Sequence, residues 1–345
     1  MVYIVKSTEK NNEKASEYET KGMLYLMSEH EDANEMYFFV IDFFNDVTSV
    51  HRMGHRAWDL QSKGERNLTA NKLGKYLVTL YKNYISDFNF SSYILFVAGI
   101  SPAILENKDV DVFTIDNVKV SSRTRIFNSL KEEAFEKSYI ENSKVDDKNI
   151  LSFLSQVTFV VCNKEKHEYI KQIVENHSSL RVNDGFLAKI FDEIRDKQTI
   201  KKNIAVEEMK LLSLEDFEPT GKYITHDDIL LLILSRLIHK DNIDNNGVPV
   251  CFVKFLNTLR KTDEEINELV ESCQQDIKRM LFDKNNARNY WELFFDIYNI
   301  VNKNPSLSVV DIYNLLGPDR FLCTQYLNFN SAKYFIALIK DGIKK

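Results

Sequence analysis

Hydrophobic periodicity along the chain changes from helical to extended and back, and the changes mark its elements. Residues 9–30 carry Tyr18, Met23, Leu24, Leu26 and Met27 as an apolar stripe with acids on the other side, which predicts an amphipathic helix. Tyr37 to Val50 is β-prone, rich in Phe and Val, with Asp46 near its end. His51-Arg52-Met53-Gly54-His55 then reads as a hairpin turn. The returning strand is Arg56-Ala57-Trp58-Asp59-Leu60-Gln61-Ser62-Lys63-Gly64. Side chains alternate along a strand, so Asp59, Gln61 and Lys63 project from one face and Trp58, Leu60 and Ser62 from the other. Polar residues thus stand where a core strand normally carries aliphatic ones.

Downstream, Asn67-Leu68-Thr69 supplies an N-cap for a helix from Ala70 to about Ser86, with Leu73, Leu77, Leu80 and Tyr84 at helical spacing. Tyr93 to Ala98 is continuously apolar and ends at Gly99, the signature of a strand buried on both faces. Val110 to Val120 reads as a strand pair or a strand and turn, and Ser121-Ser122 as the cap of a basic helix reaching Tyr139. Phe153 to Cys162 is β-rich and Lys164 to Val174 helical. Strands alternating with helices define an α/β class. Phe186 to Arg195 reads as a helix and Asp196 to Asn203 as a polar, basic connector. Beyond Pro219-Thr220-Gly221 only helical patterns remain: Asp227 to His239, capped by Thr225, then Val253 to Leu259, Glu264 to Leu281, Tyr290 to Val301, Val309 to Leu316 and Ser331 to Ile343. The expected organisation is an α/β domain with a mixed central sheet over residues 1–210 and an all-helical domain over 211–345.

A length of 345 residues is enough for two domains, each with its own core. No apolar run approaches the roughly 18 residues of a membrane span. Ile229 to Leu234 comes nearest, inside a charged helix. Met1 to Lys6 is too short for a secretory signal, so the expectation is a cytoplasmic protein without membrane association. Cys162, Cys251, Cys273 and Cys323 lack C-x-x-C spacing and read as reduced core cysteines, Cys162 included despite the nearby His167. His51 and His55 read as exposed loop histidines. The ten glycines include no G-x-G-x-x-G and no Walker A pattern, which leaves nucleotide-driven chemistry without a phosphate loop.

A net charge of −6 argues against a protein that coats nucleic acid, yet its distribution is uneven. Residues 1–46 hold four lysines against ten acids. Residues 51–82 hold Arg52, Arg56, Lys63, Arg66, Lys72, Lys75 and Lys82 against Asp59 and Glu65 alone, and Lys119, Arg123, Arg125 and Lys131 follow without an intervening acid. Positive charge therefore gathers around and after the polar strand, where a phosphate backbone would lie. Lys72, Lys75, Arg123 and Arg125 are the candidate contacts.

The polar strand suits metal-dependent phosphodiester hydrolysis. Hard divalent cations take oxygen ligands, which Asp46 and the Gln61 amide offer, and Lys63 stands beside them to orient water and offset charge on the phosphoryl group. A neutral amide is a weaker ligand than a carboxylate, so further acid is required; Asp59, about 6.6 Å along the same strand face, is one source. This pattern resembles the PD-(D/E)XK nuclease superfamily, in the subgroup with Gln in place of Glu. Asn45-Asp46-Val47, Gln61-Ser62-Lys63 and the helix from Thr69 further resemble the endonuclease domain of bacterial anti-phage effectors, found in DNA-cutting CBASS effectors and in the nuclease subunit of Lamassu systems. The resemblance covers about the first 210 residues. The helical tail is more similar to the Lamassu type than to the mixed α/β sensing domain of CBASS effectors.

The resemblance implies a restriction-endonuclease-like fold and a Mg²⁺- or Mn²⁺-dependent enzyme cutting double-stranded DNA. Asp46, Gln61 and Lys63 would be catalytic, and Glu19 on the preceding helix an acidic metal neighbour. It also implies activation by protein partners of a defence operon, an SMC-like ATPase among them, or by assembly into a homo-oligomer. Two alternatives stay open: a catalytically degenerate interaction subunit, for which Gln61 in place of Glu speaks, and an RNA-cutting enzyme with the same site.

Overall fold

The computed structural model describes residues 3–5, 13–175, 180, 182–206, 209–238, 247–322 and 324–342. Cys323, the start of the first expected helix at residues 9–12, and the helix ends expected at His239 and Ile343 lie outside the described residues. The chain divides into two compact units, Met1–Gln172 with Asn183–His226, and Ile173–Val182 with Asp227–Lys345.

The first unit is α/β. In chain order it holds β1 (Tyr3–Val5), α1 (Glu13–Ser28), β2 (Met36–Ile41), β3 (Val47–His51), β4 (Ala57–Lys63), α2 (Ala70–Tyr76), α3 (Val78–Tyr84), β5 (Ser92–Val97), β6 (Val112–Thr114), α4 (Val120–Glu136), α5 (Asp147–Leu154), β7 (Val157–Val161), α6 (Lys166–Glu175), α7 (Asp184–Lys202), β8 (Met209–Leu211) and β9 (Tyr223–Thr225). The seven-stranded sheet has the order β6-β7-β5-β4-β3-β2-β9, and β1 pairs with β8 separately. Strands β4, β5 and β7 run parallel at its centre; the other pairings are antiparallel. The sheet is therefore mixed, and β4 is the strand at which antiparallel pairing gives way to parallel.

Helices cover both faces. Leu73, Leu77, Leu80, Ile126, Leu130 and Phe153 from α2 to α5 pack into one cluster with Leu95, Val97 and Phe159 of the sheet. The opposite face lies under α1, which approaches so closely at Gly22 that an added Cβ would stand 2.8 Å from Leu60 Cδ2. Glycine lets α1 sit directly on β4 without displacing that methyl group.

Several boundaries differ from the sequence reading for physical reasons. Tyr37 to Val50 is two antiparallel strands, with residues 42–46 as the loop between them and Asp46 at its end. Phe43 and Phe44 in that loop are buried, so its hydrophobicity hid the break. The helix expected from Ala70 to Ser86 is interrupted at Leu77 into α2 and α3. Helix α4 begins after Lys119, with no side-chain cap from Ser121 or Ser122. Phe153 and Leu154 belong to α5, which Asp146 caps and which sequence reading did not anticipate. The expected connector Asp196 to Asn203 is the second half of α7, with Gln198 and Lys202 on its buried side. The first unit continues past residue 210 to His226, because β9 adds to the sheet edge beside β2.

The described residues of the second unit form no strand. Its principal helices are α8 (His226–Leu237), α9 (Val250–Leu256), α10 (Asp263–Met280), α11 (Ala287–Lys303), α12 (Val309–Leu316), α13 (Asp319–Leu322) and α14 (Phe329–Gly342). Every residue of α14 from Ser331 to Lys340 is buried, which makes it the central helix of this unit. No helix among the described residues is long and apolar enough to cross a membrane.

Candidate functional site

Strand β4 presents its polar face to α3, and two periodicities match there. Four residues of helix rise about 6 Å and two residues of strand about 6.6 Å, so i and i+4 on the helix can meet j and j+2 on the strand. Thr79 and Asn83 are that helical pair. Thr79 donates to Gln61 Oε1 at 2.7 Å, and Asn83 donates through Nδ2 to Asp59 Oδ2 at 2.6 Å.

The two acids expected to share a metal stand in different settings. Asp59 is fully buried and accepts from Asn83, from Asn45 Nδ2 at 2.6 Å and from Thr48 Oγ1 at 2.8 Å. Thr48 is its partner in the β3–β4 register. Burial pushes the Asp59 carboxyl up to about 6, against the lowering effect of the hydrogen bonds from Asn83, Thr48 and Asn45. With both oxygens held by neutral donors in the core, Asp59 is a structural carboxylate, and its expected role as a metal ligand is not supported by its surroundings. It pairs with neither Lys63 nor Arg56; Arg56 instead bridges to Asp32 at 3.3 Å and to Glu35.

Asp46 is half-buried and meets Gln61 near the C-terminal end of β4. Its Oδ2 accepts from Gln61 Nε2, from the Ser62 backbone N–H and from the Ser62 hydroxyl, each at 2.7 Å. Its Oδ1 accepts no hydrogen bond among the described residues. The loop carrying it is closed by Asp42 N–H donating to Asp46 O at 3.1 Å, with Asp42 in the left-handed region at φ 48°. Aspartate tolerates that conformation better than most residues, which suits it to the bend. Lys63, two residues beyond Gln61 on the same strand, is half-buried and lies 5.5 Å from the Tyr76 ring centroid. It has no carboxylate partner among the described residues.

Glu19 enters from α1, one turn before Gly22. It is 2% exposed and bonded through Oε1 to Lys202 Nζ at 2.8 Å, while its Oε2 is buried without a hydrogen-bond partner. Burial raises its pKa to about 7, Asp46 adds to the rise, and Lys202 opposes it. Burial works against the Lys202 ammonium too, but Glu19, Asp42 and Asp46 outweigh it and hold its pKa above the usual value. Lys222, also buried, lies 3.6 Å from Asp42. Glu19 and Asp46 are thus electrostatic neighbours with Lys202 as their counter-charge, while Lys222 faces Asp42.

Of the cations proposed for a phosphate backbone, three are engaged internally. Lys72 pairs with Glu65, Lys75 stands 3.7 Å from Glu133, and Arg123 pairs with Asp116 at 3.1 Å while donating to the Val118 and Asp116 carbonyls. Arg125 is exposed and carries no such pair among the described residues. Among the remaining candidates, the His51 and His55 rings lie 4.1 Å apart and tilted by 53° on the hairpin, and Cys162 is buried against the Tyr169 hydroxyl at 2.9 Å. Cys162, Cys251 and Cys273 are all free thiols.

The fit to a hard divalent cation is partial. Among the described residues Glu19 Oε2 and Asp46 Oδ1 accept no hydrogen bond, and Gln61 adjoins Asp46. The amide oxygen, however, is turned to Thr79. No group of three or more His, Cys, Asp or Glu among the described residues is arranged to hold a metal, so water would complete the coordination. Sequence reading missed Lys202, Thr79, Asn83 and Thr48, and named Asn45 only as part of the Asn45-Asp46-Val47 motif. The four-residue spacing of Thr79 and Asn83 was legible as a polar stripe; the approach of Lys202, from a helix far along the chain, was not. Compared with protein-family models, curated proteins and solved structures, the chain matches none.

Proposed function

We propose that the first unit is a metal-dependent endonuclease of the restriction-endonuclease-like, PD-(D/E)XK type. The observation that carries this reading is the junction of Asp46 and Gln61 at 2.7 Å, with Lys63 two residues on and without an acid partner among the described residues. A mixed sheet flanked by helices, with the polar strand at its centre, is the setting that the resemblance implies. Asp46 and Glu19 would hold Mg²⁺ or Mn²⁺, with Gln61 beside them. The cation would supply Lewis-acid polarisation of the phosphate and a more acidic bound water. Ser62 fixes Asp46 through two hydrogen bonds, and Lys63 directs its ammonium to the attacking water and the scissile phosphate. Paired surface cations leave modest DNA affinity, which fits an effector that waits for partners of a defence operon, or for self-assembly, before it cuts.

The decisive experiment is cleavage of supercoiled plasmid, linear duplex and RNA with Mg²⁺ or Mn²⁺, for wild type and Lys63→Ala, alone and with the products of neighbouring genes. Cutting that requires both metal and Lys63 is expected, with a loss of at least about a hundredfold in the variant. Full activity of Lys63→Ala would sink the mechanism, and cutting of RNA alone would reassign the substrate. One observation favours a second reading, a non-catalytic interaction subunit: the Gln61 oxygen is engaged by Thr79. Absence of any cutting or metal binding by a folded chain would decide for it.

A further inference from the structure

Gln61 uses both ends of its amide. Nε2 donates to Asp46 Oδ2 and Oε1 accepts from Thr79 Oγ1, both at 2.7 Å. The orientation follows from the chemistry of the neighbours, since the reverse would press the amide oxygen against the Asp46 carboxylate. A glutamate at this position would face Asp46 with like charge. The amide instead bonds to it and closes the site without any cation.

We infer that Gln61 is a reversible amide gate and that Thr79 is the positioning residue that serves both of its states. This rests on the proposed metal site. For the Gln61 oxygen to reach a cation beside Asp46, the amide must make a half turn about its last bond. Nε2 then faces Thr79 Oγ1. A hydroxyl accepts as readily as it donates, so Thr79 satisfies the amide before and after the turn. Asp46 keeps its position meanwhile, because the Ser62 N–H and hydroxyl hold the same oxygen at 2.7 Å each. The turn breaks the charge-assisted hydrogen bond from Gln61 to Asp46, which competes with every cation that enters, and with it the longer bond from Nε2 to the Ser62 carbonyl at 3.4 Å. Gln61 is 4% exposed, so water does not readily replace the lost partner. The site is therefore preassembled but weak for metal.

The two residues make separable predictions for Mn²⁺ binding, read by the electron paramagnetic resonance of the free ion, and for melting with and without Mn²⁺. Gln61→Glu removes the competing donor and adds a charged ligand. It is expected to bind Mn²⁺ more tightly by about tenfold or more and to melt lower than wild type when metal-free. Thr79→Val removes a partner from both states. Its melting temperature should fall by similar margins with and without Mn²⁺, its Mn²⁺ affinity should stay within about twofold of wild type, and Thr79→Ser should restore the loss. Unchanged or weaker Mn²⁺ binding by Gln61→Glu would overturn the gate. A changed affinity in Thr79→Val would show that the hydroxyl serves one state only, which also overturns it. Thr79→Val alters no charge and keeps the test decisive if Gln61→Glu does not fold. If neither wild type nor Gln61→Glu binds Mn²⁺, the nuclease reading falls and the gate with it; if wild type binds and Gln61→Glu binds equally, the gate alone falls.

Discussion

Asp59 shows how one carboxylate can be polar, central and structural at once. Its donors come from a loop, a strand and a helix, namely Asn45, Thr48 and Asn83, so it ties three segments together in the core. Asp59→Ala removes the acceptor that Asn45, Thr48 and Asn83 share in the core, at about 1–3 kcal/mol for each hydrogen bond lost, and is expected to cost at least about 3 kcal/mol in denaturant unfolding. Mn²⁺ binding per folded molecule should survive the change. The pH dependence has a defined sign. The folded pKa of about 6 lies above the ordinary 3.8, so the folded state holds an extra proton between those values. The stability linked to that proton is full below the ordinary value and is lost as pH rises through 6. Relative to wild type, Asp59→Ala should therefore show a shallower fall in unfolding free energy between about pH 4 and 7.

Between elements, the seam joining α1 to α7 is polar. Ser16 meets Thr199 at 3.2 Å, Thr20 donates to Gln198 at 2.7 Å, and Lys202 donates to Glu19 at 2.8 Å. Such a seam stabilises less than an apolar one of equal area, but it delivers an ammonium to the acidic end of the sheet. Lys202→Met removes one partner of a pair in which neither side chain is more than 7% exposed. It should cost about 3–5 kcal/mol, the penalty of a stranded buried charge, and thermal scans should show a larger upward shift on adding Mn²⁺ than in wild type. In the helical unit, Lys333 on α14 is fully buried, its Nζ has no hydrogen-bond partner among the described residues, and the Phe255, Tyr313 and Phe329 rings lie around it. Burial lowers its pKa to about 8. The ordinary value is higher, so the penalty on the charged form is full below 8 and is relieved as pH rises toward 10.5. Lys333→Met should stabilise the protein at neutral pH, and wild type should close the gap as the pH of a thermal melt is raised toward 10.

Across the whole molecule, net charge and its placement set how the chain meets a polyanion. The total is −6, and Lys72, Lys75 and Arg123 already face Glu65, Glu133 and Asp116. Internal pairing leaves few cations to release counterions from DNA. A salt titration of duplex binding should give a slope of about −1 to −2 in log–log form, and Arg125→Ala should flatten it by about one unit. A slope several times steeper would mean that the internal pairs open on binding.

Local chemistry made much of this protein legible from its sequence. The alternation of Trp58, Asp59, Leu60 and Gln61 marked β4, the apolar run to Gly99 marked β5, and helical spacing after residue 226 marked a second, helical unit, because each pattern depends on neighbours a few residues away. The three-residue strand β9 carried too few positions for a period, and the polar half of α7 read as a connector because what buries it comes from α1. Sequence also brought Asp46, Gln61 and Lys63 to notice, since a strand face is fixed by residue parity. Tertiary structure alone separated Asp59 from Asp46: Asp59 has both oxygens held by donors in the core, whereas half-buried Asp46 gathers its three hydrogen bonds on Oδ2 alone. It alone brought Lys202 to Glu19, and Thr79 to Gln61, because such contacts depend on which helix covers which face of the sheet, and that is settled by packing the whole core.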